Sequence, residues 1–151
     1  PIIRDVHFYL IHTLLHWGPL YRIAHKVHHR NTNVGAWSGL SMHPIEHILY
    51  FSGILFHWII PSHPLVAMYH VFHAGLGPTP SHTGYEKMTF KNGVTIPTGD
   101  YMHYLHHKYF ECNYSGGSLS YLDKIFGTFH DGSEEATKEV MARIKNKRHY
   151  L

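Results

Sequence analysis

Residues 25–29 read HKVHH, and residues 103–107 repeat the same pattern as HYLHH. A third segment, residues 12–16, reads HTLLH. Side chains three and four positions apart on a helix lie on one face, with their Cβ atoms about 5 to 6 Å apart. We call these three segments histidine boxes. We therefore expect each of the two longer boxes to present three imidazoles to one ion, as a three-nitrogen claw, and the shorter box to present two imidazoles.

Histidine is strongly over-represented, with 18 of 151 residues, and no rule of core packing asks for so many imidazoles. Eight of them fall in the three boxes, where a buried polar group without a partner would cost about 1 to 3 kcal/mol. A bound metal removes this cost. Because Cys112 is the only cysteine, the ligands are predicted to be His with Asp or Glu. The alternative is a solvated, histidine-rich surface.

Eight histidines exceed what one tetrahedral or octahedral ion accepts, so we predict two ions near each other. His82, just before a glycine turn, is the best further candidate, followed by His73. His70 shares a helix face with His73 and is either a ligand or a packing residue. The complete set of predicted ligands is His12, His16, His25, His28, His29, His73, His82, His103, His106 and His107.

Carboxylates that orient the ligand histidines are also expected. Asp5 continues the stripe of the first box, and Glu86 and Asp100 are the other candidates. The remaining isolated histidines are expected to be ordinary core, turn or surface residues: His57, His63, His130 and His149.

The sequence predicts an all-α fold with a membrane hairpin at about residues 44–76. No Asp, Glu, Lys or Arg occurs between residues 47 and 85. As a helix, residues 44–60 would rise about 26 Å, close to the roughly 30 Å hydrocarbon core of a bilayer. The prolines at 61 and 64 then separate this segment from a second apolar segment, residues 65–76. The alternative is a pair of buried helices in a soluble all-α domain.

The other elements follow from start and stop signals. Helices are predicted at residues 4–17, 20–29, 100–109, 119–126 and 133–150, with a loop-rich region at 75–99, a tight turn at 91–93, and no strand with strict alternation. We divide the chain into a catalytic domain, residues 1–132, and a charged C-terminal helix, residues 133–151. Because the chain starts at Pro1 without a methionine, we expect a fragment.

The charge of the chain indicates whether it binds nucleic acid and on which side of a membrane the boxes lie. A net charge of +3 is too small to indicate nucleic-acid binding without a clustered basic face. The basic end of the last helix suits the positive-inside rule and places the boxes on the cytosolic side of a membrane.

In their order along the chain, HTLLH, HKVHH, SHTGYE at residues 81–86 and HYLHH resemble the fatty acid hydroxylase superfamily, which includes sterol C4-methyl oxidases, sterol C5-desaturases and sphingolipid hydroxylases. HPIE at 43–46, NYSGG at 113–117 and YLDKIFGTF at 121–129 support the resemblance, which covers residues 5–131. It implies an integral membrane, O2-dependent lipid oxidase with two histidine-bound Fe2+ ions on the cytosolic face. The superfamily's upstream membrane helices are absent, which agrees with a fragment.

The resemblance leaves the substrate and the reaction open. Thr13 and Tyr104 depart from residues frequent in the family. The substrate, sterol or fatty-acyl, and the reaction, hydroxylation or desaturation, therefore both remain open.

No haem, flavin or iron–sulfur motif is visible, which implies a separate electron donor such as cytochrome b5 or ferredoxin with a reductase. The membrane would be the endoplasmic reticulum in a eukaryote or the inner membrane in a bacterium. Zinc in a purified sample would not exclude iron, because zinc binds imidazole sites more tightly.

Two other functions are considered. HPIEH at residues 43–47 matches the H-x-x-E-H pattern of inverted zinc proteases, which predicts a membrane zinc hydrolase using His43, Glu46 and His47. A non-catalytic protein that binds or transports metal is the second. An oxidase needs iron, O2 and reductant, whereas the hydrolase needs zinc without O2 and the transporter needs no turnover.

Overall fold

The computed structural model describes residues 2–85, 87–97, 100–116 and 120–148. Most of these residues are helical, which confirms the helical class predicted from the sequence. The α-helices are α1 (Ile2–Leu15), α2 (Gly18–Leu20), α3 (Pro44–Phe51), α4 (Phe56–Ile59), α5 (Pro64–Leu76), α6 (Pro78–Ser81), α7 (Asp100–Tyr109), α8 (Tyr121–Ile125) and α9 (Glu134–Arg148). A π-helical turn (Tyr21–His25), three 3-10 turns (His28–Arg30, Ala36–Leu40 and Ser52–Leu55) and two strands, β1 (Lys87–Thr89) and β2 (Thr95–Pro97), complete the fold.

Helix α7 begins and ends at the residues predicted, and α8 and α9 lie within their predicted segments. Helix α1 begins and ends two residues earlier than the predicted segment 4–17. The start proposed for α8 at residue 119 and the end proposed for α9 at residue 150 fall outside the described residues. The region from 75 to 99, predicted as loops, also contains α6 and the antiparallel pair β1 and β2. Strands of three residues are too short to show an alternating pattern. The predicted turn between them is present, with Gly93 at φ 82°.

The segment 20–29, predicted as a helix, is helical over most of its length, but it changes from α to π to 3-10 winding and is not one continuous α-helix. The amide of Lys26 bonds the carbonyl of Tyr21 at 2.8 Å, five residues back, which widens the helix into a π turn. The amide of Val27 then bonds Ala24 at 3.2 Å, three residues back, which tightens it again. The second box is therefore built on a π turn followed by a 3-10 turn.

Residues 44–76 form two helical arms separated by a break, as predicted, but the first arm consists of α3, a 3-10 turn and α4 rather than one helix. Both arms start at a proline preceded by a capping histidine: His43 Nδ1 accepts from the Ile45 amide, and His63 Nδ1 accepts from the Leu65 amide. In the described part of the chain, no helix has both the length and the apolar composition that crossing a bilayer requires. A single spanning helix over residues 44–60 is therefore not observed.

The interior and the surface are unusual in composition. Seven of the eight box histidines are buried, whereas large apolar side chains are exposed along the hairpin arms. In α5 the single buried residue is Ala74, and Leu65, Met68, Phe72 and Leu76 are all more than half exposed. The centre of the fold is thus polar, and one of its outer faces is apolar.

Candidate metal centre

Nine of the ten predicted ligands lie in two adjacent groups, within each of which one nitrogen per ring is less than 4.8 Å from the others. We call them the first group and the second group. The first group contains His12, His16, His25, His29 and His106. The second group contains His28, His82, His103 and His107.

Each of the two longer boxes contributes to both groups, which corrects the prediction of a three-nitrogen claw for one ion. In the second box, His25 and His29 enter the first group and His28 enters the second. In α7 the assignment is reversed, because His103 and His107 enter the second group and His106 the first. An α-helix turns about 100° per residue, so positions i and i+4 nearly coincide in direction while i+3 points about 100° away from i+4. The boxes therefore tie the two groups together.

Burial favours the neutral form of eight of these nine rings. His16 is half-buried and the other eight are buried. In those eight, desolvation is the largest cause that lowers the pKa of the imidazole. The pKa falls to about 3 in His25 and His107 and to about 4 in His82. A neutral imidazole keeps a nitrogen lone pair, which is the form that binds a metal ion.

Hydrogen bonds fix which nitrogen carries the lone pair. Four rings contact backbone carbonyl oxygens through Nδ1: His12 to Tyr114 (2.7 Å), His106 to Cys112 (2.6 Å), His82 to Pro78 (2.7 Å) and His28 to Ser41 (3.4 Å). A carbonyl oxygen only accepts, so Nδ1 donates and Nε2 holds the lone pair. In each of these rings Nε2 is the nitrogen left to face the group.

The distances between the Nε2 atoms match the edges of a coordination polyhedron. In the first group they are 3.1 to 3.2 Å for the contacting pairs. In the second group they are 3.0 to 3.4 Å. Nitrogens bound at about 2.1 Å from an ion lie roughly 3.0 Å apart in an octahedron and roughly 3.4 Å apart in a tetrahedron. Converging lone pairs repel each other unless a cation lies between them, so the residues present fit two metal ions.

The carboxylate that orients a ligand is Glu46. His25 Nδ1 donates to Glu46 Oε1 at 2.7 Å, and the Glu46 side chain is 3% exposed. Burial raises the pKa of Glu46, whereas a cation on the far side of the His25 ring would favour its ionised form. In the sequence, Glu46 is the last charged residue before the segment 47–85, which contains no Asp, Glu, Lys or Arg. Its hydrogen bond to His25 explains why a carboxylate lies at this position.

The predicted role of Asp5 is not observed, because its carboxylate pairs with Arg4 at 3.2 Å rather than with a ligand histidine. Glu86 and the Asp100 side chain lie outside the described part of the structure.

Of the predicted ligands, His73 is not brought to either group. It lies on α5 with an exposed ring, beside Tyr69 at 5.6 Å between ring centroids. His70 on the same helix contacts His57 at 3.0 Å and belongs to neither group. His130 is buried and accepts from the Gly132 amide at 2.9 Å, in agreement with a structural role. His149 lies outside the described residues.

The H-x-x-E-H segment does not assemble a metal site among the described residues. His43 caps α3, the His47 ring stacks on Phe51 at 6.2 Å between centroids, and Glu46 faces His25. Neither His43 nor His47 belongs to the two groups. The predicted zinc-hydrolase arrangement of His43, Glu46 and His47 is therefore not formed, because Pro44 starts the helix at the motif itself and leaves His43 outside its first turn.

Asp123 was not singled out from the sequence, yet it organises the loop that supports the ligands. Its buried carboxylate accepts from the Tyr114 amide at 2.8 Å, the Ser115 amide at 2.9 Å and the Thr128 hydroxyl at 2.7 Å. The same loop supplies the carbonyl oxygen that holds His12. Asp123 thereby positions a ligand without approaching the groups itself.

A cavity of about 560 Å³ adjoins both groups. His12 and His25 line it from the first group, and the second group contributes His28, His82 and His103. The adjoining walls are apolar and include Phe8, Ile11, Leu15 and Met42. The volume lies within the range of about 300 to 1,000 Å³ typical of small-molecule sites. An apolar molecule in this cavity would lie directly against the histidine rings.

Comparisons with known proteins place the chain in a family. The family model described as fatty acid hydroxylase matches residues 1–128. The chain is 33% identical over 154 residues to a C-4 methylsterol oxidase of Schizosaccharomyces pombe, covering 95% of this chain and 50% of that protein. It is 32% identical over 142 residues to a cholesterol 25-hydroxylase of Homo sapiens (89% and 51%) and 29% identical over 151 residues to methylsterol monooxygenase 1 of Rattus norvegicus (97% and 50%).

The chain therefore belongs to the fatty acid hydroxylase family, as the order of its histidine boxes predicts. It spans about half the length of the curated relatives it matches. No solved structure matches the chain.

Proposed function

We propose that this chain is the catalytic part of an O2-dependent lipid oxidase, a hydroxylase or desaturase that acts on a sterol or fatty-acyl C–H bond with two iron ions. One observation carries the proposal. Nine imidazoles in two adjacent groups direct their nitrogens at each other beside a cavity whose adjoining walls are apolar. The relatives named as sterol oxidases and hydroxylases support the same class of reaction.

The histidine groups would hold the metal, and the residues of the cavity wall would hold the substrate. Iron bound by the two groups would supply the activation of O2 and the oxidising power that an unactivated C–H bond requires. Glu46 accepts the Nδ1 proton of His25 and so fixes that ring and raises its basicity as a ligand. Phe8, Ile11 and Leu15 exclude water from the cavity wall next to the histidines. The position of the substrate carbons against these side chains, to within about 1 Å, selects hydroxylation or desaturation.

The exposed apolar face supports placement against a membrane. A large exposed apolar patch normally marks a surface that protein or lipid covers, and α5 exposes Leu65, Met68, Phe72 and Leu76. We propose that α5 and the neighbouring α4 contact lipid, with the histidine groups on the cytosolic side. A small redox protein such as cytochrome b5 or ferredoxin, with its reductase, would supply the electrons. No nucleic-acid partner is proposed.

The test is lipid profiling of cells that express the full-length protein with and without O2. We expect an oxygenated or dehydrogenated lipid that forms only with O2 and disappears in His106→Ala. The matched control is His43→Asn, because asparagine preserves a helix cap and His43 belongs to neither group; it should retain product. Full product formation by His106→Ala, or formation without O2, would reject the oxidase.

A further inference from the structure

The cavity that adjoins the histidines also reaches a polar cluster beside the N-terminal end of α1. This cluster, which we call the polar end, consists of Arg4, Asp5, Tyr50 and His73, all of which line the same cavity. Arg4 donates to Asp5 Oδ1 at 3.2 Å and to the Tyr50 hydroxyl at 3.1 Å. The Tyr50 hydroxyl in turn donates to the Ala74 carbonyl at 2.9 Å. The proposed metal chemistry uses none of these four side chains.

We propose that the polar end binds the hydroxyl group of an uncharged lipid substrate, so that the carbon to be oxidised lies at the opposite end of that molecule. This inference rests on the proposed function, since it names the substrate class of the same cavity. Arg4 supplies the hydrogen bond to the hydroxyl oxygen, and Tyr50 is a positioning residue that holds the guanidinium.

The hydrogen-bond inventory leaves Arg4 able to bind a ligand. A guanidinium has five N–H donors, and the contacts to Asp5 and Tyr50 use two of them. The Tyr50 hydroxyl gives its only proton to Ala74, so it accepts from Arg4 and holds the guanidinium in place. A lipid oxygen in the cavity can therefore accept a charge-assisted hydrogen bond, which is stronger than a neutral one.

The charge at the polar end favours a neutral oxygen over a carboxylate. The Arg4 and Asp5 side chains are 19% and 27% exposed, and their opposite charges largely cancel. Partial burial of the His73 ring, followed by the charge of Arg4, lowers its pKa, which disfavours a positive charge on this ring. A carboxylate would have to lose water and lie beside Asp5, with no net positive charge to compensate it. A hydroxyl loses little on entering such a site, because a single good hydrogen bond satisfies it.

The spacing along α1 separates the hydroxyl from the reacting carbon. Arg4 and His12 lie on the same helix, eight residues apart, and both line the cavity. At 1.5 Å per residue this separation is about 12 Å, and both side chains lean toward the N-terminus, which preserves it. A lipid hydroxyl bound at Arg4 thus places a distal carbon, rather than a carbon next to the hydroxyl, against the histidine groups.

The experiment measures equilibrium binding of three probes to the purified full-length protein loaded with zinc, so that no turnover is needed. The probes are cholesterol, cholestane, which lacks the hydroxyl, and palmitate, which carries a carboxylate. We expect cholesterol to bind the natural protein about tenfold or more tightly than cholestane does. Arg4→Gln should remove this preference and leave cholestane binding unchanged. Tyr50→Phe should reduce the preference by a smaller factor.

Arg22→Gln is the matched control, because Arg22 bonds a backbone carbonyl at an exposed position and does not line the cavity. Thermal melting of each variant checks its folding, and the comparison of two probes within one variant cancels any general loss of stability. Equal binding of cholesterol and cholestane by the natural protein would overturn the proposal. Palmitate binding that is tightest of the three and lost in Arg4→Gln would also overturn it, in favour of a carboxylate site. Either result leaves the O2-dependent oxidation measured in cells unaffected, so the two proposals fail separately.

Discussion

At the scale of a single residue, Glu46 shows how a buried carboxyl group can be retained in an apolar segment. Its Oε1 accepts from His25 at 2.7 Å, and the pair is almost completely buried. An isolated buried carboxylate would be strongly destabilising. A metal ion on the Nε2 side of His25 would stabilise the ionised form of Glu46 across the ring, and the negative charge would strengthen the ligand in return.

The first prediction concerns this carboxylate. Glu46→Gln keeps an oxygen acceptor for His25 but removes the charge, so the affinity for metal should fall by about 10- to 100-fold. The measurement is a titration of the metal-free protein with a ferrous salt under anaerobic conditions. Glu139→Gln, at an exposed site on α9, is the control and should bind as the natural protein does. An unchanged affinity in Glu46→Gln would show that the carboxylate has only a structural role.

At the scale of the elements, the boxes explain which parts of the site the sequence could predict. The spacing in the boxes identified eight of the nine grouped histidines, and the glycine turn after His82 identified the ninth. In both longer boxes, positions i and i+4 enter one group and position i+3 enters the other, although the second box follows a π turn at Tyr21–His25 and is not a regular helix. Nothing in the local pattern predicts that widened turn, and His73, although well placed in the sequence, lies on a helix that faces outward.

Contacts that join distant segments were the least predictable from the sequence. The pairing of Glu46 with His25 crosses 21 residues, and Tyr50 meets Arg4 across 46 residues. The spacing of residues within one helix or strand describes that element alone, so it does not predict contacts between distant elements. Asp5 illustrates the same limit, because its place on the helix was predicted correctly while its partner, Arg4, was not.

The second prediction concerns the loop after α7. Asp123 accepts three hydrogen bonds from the loop and from Thr128. In Asp123→Asn the side-chain NH2 group faces at least one of these donors, so the free energy of unfolding of this variant should fall by about 3 kcal/mol. Chemical denaturation of the metal-free protein measures it. Asp131→Asn is the control, because Asp131 accepts from the Ser133 amide at an exposed site. A loss no larger than the control's would contradict the role given to Asp123.

At the scale of the whole molecule, histidines occupy the interior that apolar side chains fill in most proteins. The rings of His25, His82, His106 and His107 are among the largest fully buried side chains. Such an interior gains little from the hydrophobic effect and depends on the cation that the nitrogens bind. Folding and metal binding should therefore be strongly coupled.

The third prediction follows from the pKa values of the buried rings. The pKa is lowered by burial from 6.5 to about 3 in His25 and His107, and to about 4 in His82. Between these values the unfolded chain binds more protons than the folded chain. The contribution of these three histidines to the stability of the metal-free protein should be fully present above pH 6.5 and lost progressively as the pH falls toward 3. Thermal melting across this range measures it, and a melting temperature that stays constant or rises on acidification would contradict the burial of neutral imidazoles.

The number of metal ions tests the central claim most directly. Elemental analysis of the full-length protein, reconstituted anaerobically with ferrous iron and freed of excess metal, should give two ions per chain, one for each group of histidines. His82→Ala, which changes only the second group, should retain one. A natural protein that binds a single ion or none, or a His82→Ala variant that still binds two, would contradict the account.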